Sequence, residues 1–284
     1  MAQHLVAQAS VRLFFTPSPC LSAGPLFKKN SPGKLGFDFA AIWGIFNARA
    51  FVRDICAAKR AAGQPVISFE FFPPRTPEWD CNLLDKTIPA LRQAPPDYCS
   101  ATYRAGGSTR DKTLLIVDRI QRQHGLIAVA HLTCVDATRE QIGGLLGRIR
   151  ALGVKNVLAL RGDPPDGGQF KATPGRFDYS SQLVRFIREE PGLCIGVAGF
   201  PEGHIACKEG KYIDWQHLEE KVDAGAEDAA AAEFGTDCPS KQCADLLQSG
   251  APGLHFYTRN KARATTRVLQ NLGLAQCPAG PEFH

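Results

Sequence analysis

Short apolar stretches rich in β-branched residues recur from Phe51 onward, each followed by a polar loop and then an amphipathic stretch of helical length. Runs of this kind, bounded by Gly, Pro and Asp, are typical of buried strands, and the longer periodic stretches are typical of helices. The pattern predicts strands at 66–72, 97–103, 126–133, 156–160, 193–200 and 253–257. It predicts helices at 81–93, 109–124, 136–152, 179–190, 214–224, 240–249 and 261–272.

This alternation of strands and helices predicts an α/β fold with a parallel sheet and right-handed crossovers. The strands are apolar almost throughout, as strands covered on both faces must be. No G-x-G-x-x-G follows the first strand, which argues against a dinucleotide-binding doubly wound sheet. The strand pattern alone leaves a closed barrel and an open sheet as alternatives.

The chain has 284 residues, of which 44% are apolar and 21% charged, in the range of globular proteins. Residues 1–50 lack a sustained period and contain Pro, Gly and Ser breaks, so we expect a poorly ordered N-terminal extension. Its lack of acidic residues before Asp38 also fits a transit peptide. We expect one domain over 51–275 and a short tail over 276–284.

Charge and cysteine usage exclude several classes of function. The net charge of +5 is scattered, whereas nucleic-acid binding calls for a basic stripe on one face. The ten cysteines include no C-x-x-C pair, so we expect buried free thiols in a reducing cytoplasm and no metal site. No apolar run approaches the ~20 residues that a membrane-spanning helix needs.

Polar residues gather where the predicted strands end, which is where barrel enzymes place their chemistry. The first strand reads S-F-E-F-F-P-P and places Glu70 in an apolar run. Burial disfavours a carboxylate, so we expect a raised pKa, suited to a general acid near neutral pH. An ion pair with an Arg or Lys inside the barrel is the alternative for Glu70.

The other strand ends carry similar groups. S-A-T-Y-R-A-G-G, at 100–107, offers hydroxyls and glycines that permit close backbone approach to a ligand. A-H-L-T-C ends one strand with His131, and A-L-R-G-D-P-P ends another with Arg161 and Asp163. A guanidinium offers fixed donors to a phosphate or carboxylate. Together these strand ends predict a pocket for a planar or anionic ligand.

Taken in order, these motifs, with G-F-P-E-G-H, K-V-D-A-G-A and H-F-Y-T, resemble the methylenetetrahydrofolate reductase family in its bacterial, FAD-dependent form. The resemblance implies a (β/α)8 TIM barrel and an oxidoreductase in which FAD relays hydride from NADH or NADPH to 5,10-methylenetetrahydrofolate. The product, 5-methyltetrahydrofolate, serves one-carbon metabolism and methionine synthesis in the cytoplasm. Homo-oligomers are common in the family.

The resemblance assigns roles to individual residues. Glu70 matches the general acid, and Asp163 matches an aspartate between flavin and folate. Substrate contacts match Glu70, Thr102, Asp163 and Lys261. Flavin contacts match Thr102, Tyr103, Ala105, His131, Arg161, Gly162, Asp163, Tyr179, Ser180, Phe200, His204, Asp214, His217 and Lys221. The family usually has Tyr at position 200, Ala at 180 and Arg at 261.

One segment departs from the family. After K-V-D-A-G-A the family continues into a sixth strand that carries a Gln, whereas residues 227–233 here read E-D-A-A-A-A-E. We expect about two strands to be missing after residue 226, so that the barrel is incomplete and has open edges. We therefore expect low stability and weak reductase activity. The alternatives are a non-catalytic FAD- or folate-binding barrel, an inactive gene product, or an unrelated phosphate-binding barrel enzyme.

Overall fold

A computed structural model describes residues 8–11, 50–74, 76, 81–91, 96–102, 110–135, 137–162, 175–200, 204, 207–231, 239–258, 260 and 262–275. Its strands are β1 (Gln8–Val11), β2 (Val66–Phe71), β3 (Tyr98–Ala101), β4 (Ala128–Thr133), β5 (Asn156–Leu160), β6 (Cys194–Gly199), β7 (Asp228–Ala231) and β8 (Gly253–Tyr257). Its helices are α1 (Val52–Ala61), α2 (Ile88–Leu91), α3 (Arg110–His124), α4 (Arg139–Ala151), α5 (Ser180–Arg188), α6 (Lys211–Asp223), α7 (Pro239–Gln248) and α8 (Ala262–Asn271). A π-helical turn, Leu83–Thr87, leads into α2.

The strands form one sheet in the order β1-β8-β2-β3-β4-β5-β6-β7. Strands β2 to β8 pair in parallel with their neighbours, whereas β1 pairs with β8 in the antiparallel sense. No ladder joins β7 to β1 in the described residues, although the two strands lie near each other. The incomplete (β/α) barrel predicted from the sequence is confirmed.

Side chains alternate between the two faces of the curved sheet. Those on the outer face pack with the helices in the main hydrophobic core, as Phe69, Leu132 and Val197 do. On the inner face, Val66, Tyr98, Ile127, Val129, Leu158 and Cys194 form a separate apolar cluster. Helix α1 closes this cluster with Val52 and Cys56, so the amino-terminal half of the barrel interior is packed shut.

Polar bonds hold α1 in this position. The Asn156 side chain accepts from the backbone N–H of Val52 at 2.8 Å and donates to the Ala50 carbonyl at 3.0 Å. Glu227 accepts from Arg53 at 2.6 Å and lies 2.6 Å from Arg188. The first pair fastens α1 to β5, and the second fastens it to the residue that precedes β7. In the described residues, α1 and the apolar cluster therefore block the amino-terminal end of the interior.

The segment after residue 226 differs from the expectation. Residues 227–233 were expected to contain no strand, but Asp228–Ala231 forms β7 and pairs with β6, from Gly196↔Asp228 to Gly199↔Ala231. Seven parallel strands are therefore present in the described residues, and the deficit from eight is smaller than predicted. As expected, the strand lacks the glutamine of the family, because positions 229–231 hold alanines.

The N-terminal extension contributes β1, whose pairing with β8 runs from Gln8↔Tyr257 to Val11↔Leu254. Strand β1 also contacts β7 and α7. It therefore lies in the gap between the two parallel strands that an intact barrel would join through a further strand. None of the described helices is both long and apolar enough to cross a membrane.

Candidate functional site

A layer of polar side chains lies above the apolar cluster on the inner face of the barrel. It contains Ser68 and Glu70 of β2, Ser100 of β3, His131 of β4 and His255 of β8, all buried. Strand register explains their proximity, since Ser68 pairs with His255 and Glu70 pairs with Ser100. We call these five residues the polar layer.

The contacts of the polar layer converge on one carboxylate oxygen. Glu70 Oε2 lies 3.2 Å from His255 Nε2, 3.4 Å from His131 Nε2, and accepts from Ser100 Oγ at 3.4 Å. His255 Nδ1 lies 2.7 Å from Ser68 Oγ. The Glu70 backbone is fixed as well, because Thr258 Oγ1 donates to its carbonyl at 2.9 Å.

The direction of the Glu70 pKa shift contradicts the sequence-based expectation. Burial alone raises the pKa of Glu70, as expected. The charges of His131 and His255 and the hydrogen bond of His255 oppose burial and outweigh it, so the net effect is a lowered pKa. The alternative of an ion-paired Glu is therefore closer to the structure, with imidazoles in place of Arg or Lys.

His131 is oriented differently from His255. Its Nε2 is within ion-pair distance of Glu70, at 3.4 Å, but makes no hydrogen bond of acceptable geometry in the described residues. A buried ring nitrogen without a partner is costly, since its lost hydration is not replaced. Charge attraction between His131 and the Glu70 carboxylate offsets part of this cost.

A cavity of about 380 Å³ opens at the ends of β5 and β6, between α5 and α6. Its lining contains nine of the predicted flavin-contacting residues, which the fold brings together from four segments of the chain. They are Arg161, Gly162, Tyr179, Ser180, Phe200, His204, Asp214, His217 and Lys221. Cys207 and Glu209, which the sequence analysis did not select, also line it.

Lys221 is a partly buried cation that lines this cavity. Its Nζ donates to the Ala198 carbonyl at 2.9 Å, so the ammonium is held at the end of β6. Desolvation and the nearby Arg161 lower the pKa of Lys221, while Asp214 opposes this effect. Two cations this close to each other favour an anionic ligand, whose charge would relieve their repulsion.

Asp214 and the aromatic residues shape the rest of the wall. Asp214 Oδ2 accepts from the backbone N–H of His204 at 3.0 Å, so this carboxylate fixes the loop after β6. The rings of Phe200 and His204 meet edge to face with centroids 4.4 Å apart. Tyr179 and His217 stack with centroids 5.4 Å apart. The cavity therefore combines cationic groups with flat ring surfaces.

Gly162 is required where β5 ends beside this cavity. Its φ of +85° lies in the left-handed region that favours glycine. A Cβ there would meet Val135 Cγ1 at 2.7 Å and Thr133 Cβ at 3.0 Å. The glycine lets the chain turn directly against β4 and leaves Arg161 at the rim of the cavity.

Several predicted residues lie elsewhere. Thr102 follows β3, where its backbone N–H donates to the Phe71 carbonyl at 3.0 Å, at the same barrel end as Glu70. Tyr103, Ala105, Asp163 and Lys261 lie outside the described residues, so their predicted roles stay predictions. Glu70 and His131, the remaining predicted pair, are in contact inside the barrel.

Sequence reasoning missed His255, Ser68, Ser100 and Asn260. Ser68 shares strand parity with Glu70, Ser100 pairs with Glu70, and His255 pairs with Ser68, a signal that a register prediction would have revealed. Asn260 has a left-handed φ of 56°. Its side chain accepts from the Phe72 backbone N–H at 3.0 Å and donates to the Phe72 carbonyl at 2.7 Å. This links the loop after β8 to the end of β2.

Comparisons with known proteins agree with the motifs. The family model described as methylenetetrahydrofolate reductase matches residues 55–231 and 226–273, two stretches that meet at β7. A probable methylenetetrahydrofolate reductase (NADH) of Oryza sativa subsp. japonica is 40% identical, covering 76% of this chain and 49% of the relative. The 5,10-methylenetetrahydrofolate reductase of Escherichia coli K12 is 38% identical, covering 61% of this chain and 56% of the relative.

The chain thus spans about half the length of the curated relatives it matches. Among solved structures, 2,3-dimethylmalate lyase, a PEP mutase/isocitrate lyase superfamily member, aligns with a TM-score of 0.52 at 10% identity. That alignment covers 82% of this chain and 91% of the other. At this identity the likeness concerns the barrel fold alone.

Proposed function

Because the chain belongs to the methylenetetrahydrofolate reductase family, we propose that it binds FAD at the carboxyl ends of its barrel strands. Through this flavin it would transfer hydride from NADH or NADPH to 5,10-methylenetetrahydrofolate. The proposal includes a cytoplasmic location and a place in folate one-carbon metabolism. One observation carries it: nine predicted flavin-contacting residues line a single cavity at the barrel end that also bears Glu70.

The residues present fit a flavin dinucleotide. Lys221 and Arg161 suit its pyrophosphate, since paired cations bind phosphate oxygens strongly. The Tyr179–His217 stack offers a flat surface to a ring system. His131 Nε2, buried without a hydrogen bond in the described residues, suits a polar atom of a ligand ring. No single group decides the fit, but their chemistry agrees with a planar, anionic ligand.

In this reaction FAD, when bound, supplies the carrier that accepts and returns the hydride. The chain's own residues provide binding and a proton. Glu70 delivers a proton to the substrate nitrogen that leaves the methylene bridge, which opens the bridge to an iminium ion. The apolar cluster and α1 below Glu70 exclude water from that side, so the proton path runs through the polar layer.

A second candidate is a barrel that binds FAD or folate without turnover. The alanines of β7 favour it, because the family's sixth strand carries a glutamine that contacts substrate and nicotinamide. The binding residues of β4 to β6 do not depend on that strand. We therefore expect flavin binding to survive better than catalysis.

Purified protein distinguishes these candidates. Reductase activity predicts a yellow protein that oxidises NADH or NADPH and then reduces the folate. Retained flavin absorbance without turnover supports the binding barrel. A protein that never retains flavin, yet binds a sugar phosphate, contradicts both and supports an unrelated barrel enzyme.

Lys221 gives a sharper test of the proposed flavin site. Replacing it with Met removes a partly buried charge from the cavity, and FAD affinity should fall about 10- to 100-fold, as expected for a lost charged hydrogen bond. Lys208→Met is the matched control, because Lys208 is exposed and does not line the cavity. Equal affinities for the two variants would place the flavin elsewhere.

A further inference from the structure

We propose that His255, positioned by Ser68, holds the proton that reaches the folate through Glu70. This inference rests on the proposed reductase function. His255 is a positioning residue in this scheme, because it acts through Glu70 and does not itself touch the substrate. Ser68 has the corresponding role toward His255.

The geometry forms a continuous chain of three side chains. Ser68 Oγ and His255 Nδ1 are 2.7 Å apart, and His255 Nε2 and Glu70 Oε2 are 3.2 Å apart. Both distances are within the hydrogen-bond range. His255 is 3% exposed and Ser68 is 1% exposed, so the chain is screened from bulk water. Adjacent strands hold it, because Ser68 and His255 are register partners.

The charge balance requires a shared proton. A buried carboxylate is strongly disfavoured unless a cation compensates it. Among the described residues, the ion-pair partners of Glu70 are the imidazoles of His131 and His255, from β4 and β8. These interactions lower the Glu70 pKa, so at neutral pH the carboxyl group alone is a poor store for a proton. An adjacent imidazolium stores it instead.

His255 fits this role better than His131. Both of its ring nitrogens have partners at hydrogen-bond distance, as an imidazolium with two N–H donors requires. His131 Nε2 has no well-formed hydrogen bond in the described residues. The Tyr257 ring also packs edge to face against the His255 ring, with centroids 5.4 Å apart, which helps to hold the imidazole in place.

The transfer conserves protons and charge. The proton on His255 Nε2 moves to Glu70 Oε2, and Glu70 passes it to the substrate nitrogen as the methylene bridge opens, which leaves Glu70 as a carboxylate again. His255 becomes neutral with its remaining proton on Nδ1, where Ser68 Oγ accepts the hydrogen bond. Ser68 therefore selects the tautomer that leaves Nε2 free to be protonated again.

Nuclear magnetic resonance of nitrogen-labelled histidine tests the proton position without requiring activity. In the wild-type protein His255 should carry protons on both ring nitrogens at neutral pH. Glu70→Gln should make the ring neutral, and Ser68→Ala should change its tautomer balance. Ser249→Ala is the control, because Ser249 is exposed and lies outside the polar layer. A neutral His255 in the wild type, or one unaffected by Glu70→Gln, would overturn the inference.

Half-reaction kinetics link the proton to function. His255→Gln and the milder Ser68→Ala should slow folate reduction, by roughly 100-fold for the former, the lower range for general acid catalysis. Their folate step should also change its pH profile, while flavin reduction by NADH stays within about 2-fold, since it requires no donated proton. Normal flavin reduction with an unchanged folate step refutes the relay alone, whereas absence of bound flavin refutes the proposed function.

Discussion

The arc of strands from β8 through β2 to β6 and the junction between β7 and β8 are built differently. Every neighbouring pair within the arc is parallel, and the inner face of the arc holds the polar layer. At the junction, β1 pairs in the antiparallel sense with β8, and no ladder in the described residues connects it to β7. The departure from parallel pairing is therefore local to one part of the barrel.

The residues proposed to bind the flavin and the substrate are therefore separate from the part of the barrel wall that is left unpaired. The cavity residues follow β5 and β6, and Glu70 and His131 lie in β2 and β4, so all of them belong to the arc. The junction is where the described residues leave the barrel without a complete ladder, and its strand β7 holds alanines in place of a glutamine. Variants in the arc should thus affect chemistry, whereas variants at the junction should affect stability and association.

The largest effect is expected from Glu70→Gln in the arc. The amide keeps the size of the side chain but cannot deliver an acidic proton, so the folate step should slow by about 10² to 10⁴-fold. Flavin absorbance should remain, because the cavity residues are unchanged. Stopped-flow absorbance measures both steps. An unchanged folate rate would remove Glu70 from the mechanism and with it the role proposed for the polar layer.

The next largest effect is expected from paired prolines in β1. Consecutive strand residues alternate in the direction of their N–H groups, so Ala9→Pro combined with Ser10→Pro removes a donor that faces β8. The free energy of unfolding should fall by about 2 to 3 kcal/mol, from lost backbone bonds of about 1 kcal/mol each and the disturbed pairing. The exposed edge should also promote association.

Denaturant unfolding and light scattering measure these changes. The control carries the same two prolines at Ala2 and Gln3, before β1 begins. If both double variants behave like the wild type, β1 does not protect the edge of β8. The junction would then be open in solution.

The sequence predicts the arc well because each of its strands has its own local signal. Strands β5 and β8 match the predicted ranges, as β-branched or aromatic runs bounded by turn residues should. Strand β7 was missed because alanine has a low strand propensity, and pairing with β6 decides its conformation. Helix α1 was missed as well, although it begins near the predicted start of order.

In the candidate site, too, the features that depend on contacts between strands could not be predicted from the sequence. Single strand ends revealed Glu70 and His131, because polar residues in apolar runs are conspicuous. The direction of the Glu70 pKa shift could not be predicted, since it depends on imidazoles from β4 and β8 that only the fold brings near. His255 was visible in H-F-Y-T, but its partnership with Ser68 requires the strand register.

A smaller effect is expected at the base of β7. Burial raises the pKa of Glu227, but hydrogen bonds from Arg53 and Arg188 and their charges outweigh it, so the net pKa is lowered. A lowered folded-state pKa contributes stability above the ordinary value of 4.5, and this is lost as the pH falls through the folded value. Glu227→Gln should therefore cost about 1 to 2 kcal/mol near neutral pH.

Thermal unfolding across the acidic range checks the sign. The gap between the wild type and Glu227→Gln should narrow as the pH drops below 4.5. Glu219→Gln makes the same chemical change on the exposed face of α6 and should have little effect at any pH. A gap that widens in acid would contradict the assigned ion pairs.

The smallest effect is expected at the start of α4, in the arc and away from the junction. Thr138 Oγ1 accepts from the Gln141 backbone N–H at 3.3 Å, and the Gln141 side chain accepts from the Thr138 N–H at 2.9 Å. Thr138→Ala should cost about 0.5 to 1 kcal/mol, whereas Thr138→Ser keeps the cap. If arc and junction unfold as one unit, this cost shifts the whole calorimetric transition. If the junction melts separately, an earlier transition should remain at the wild-type temperature, and only the later one should move.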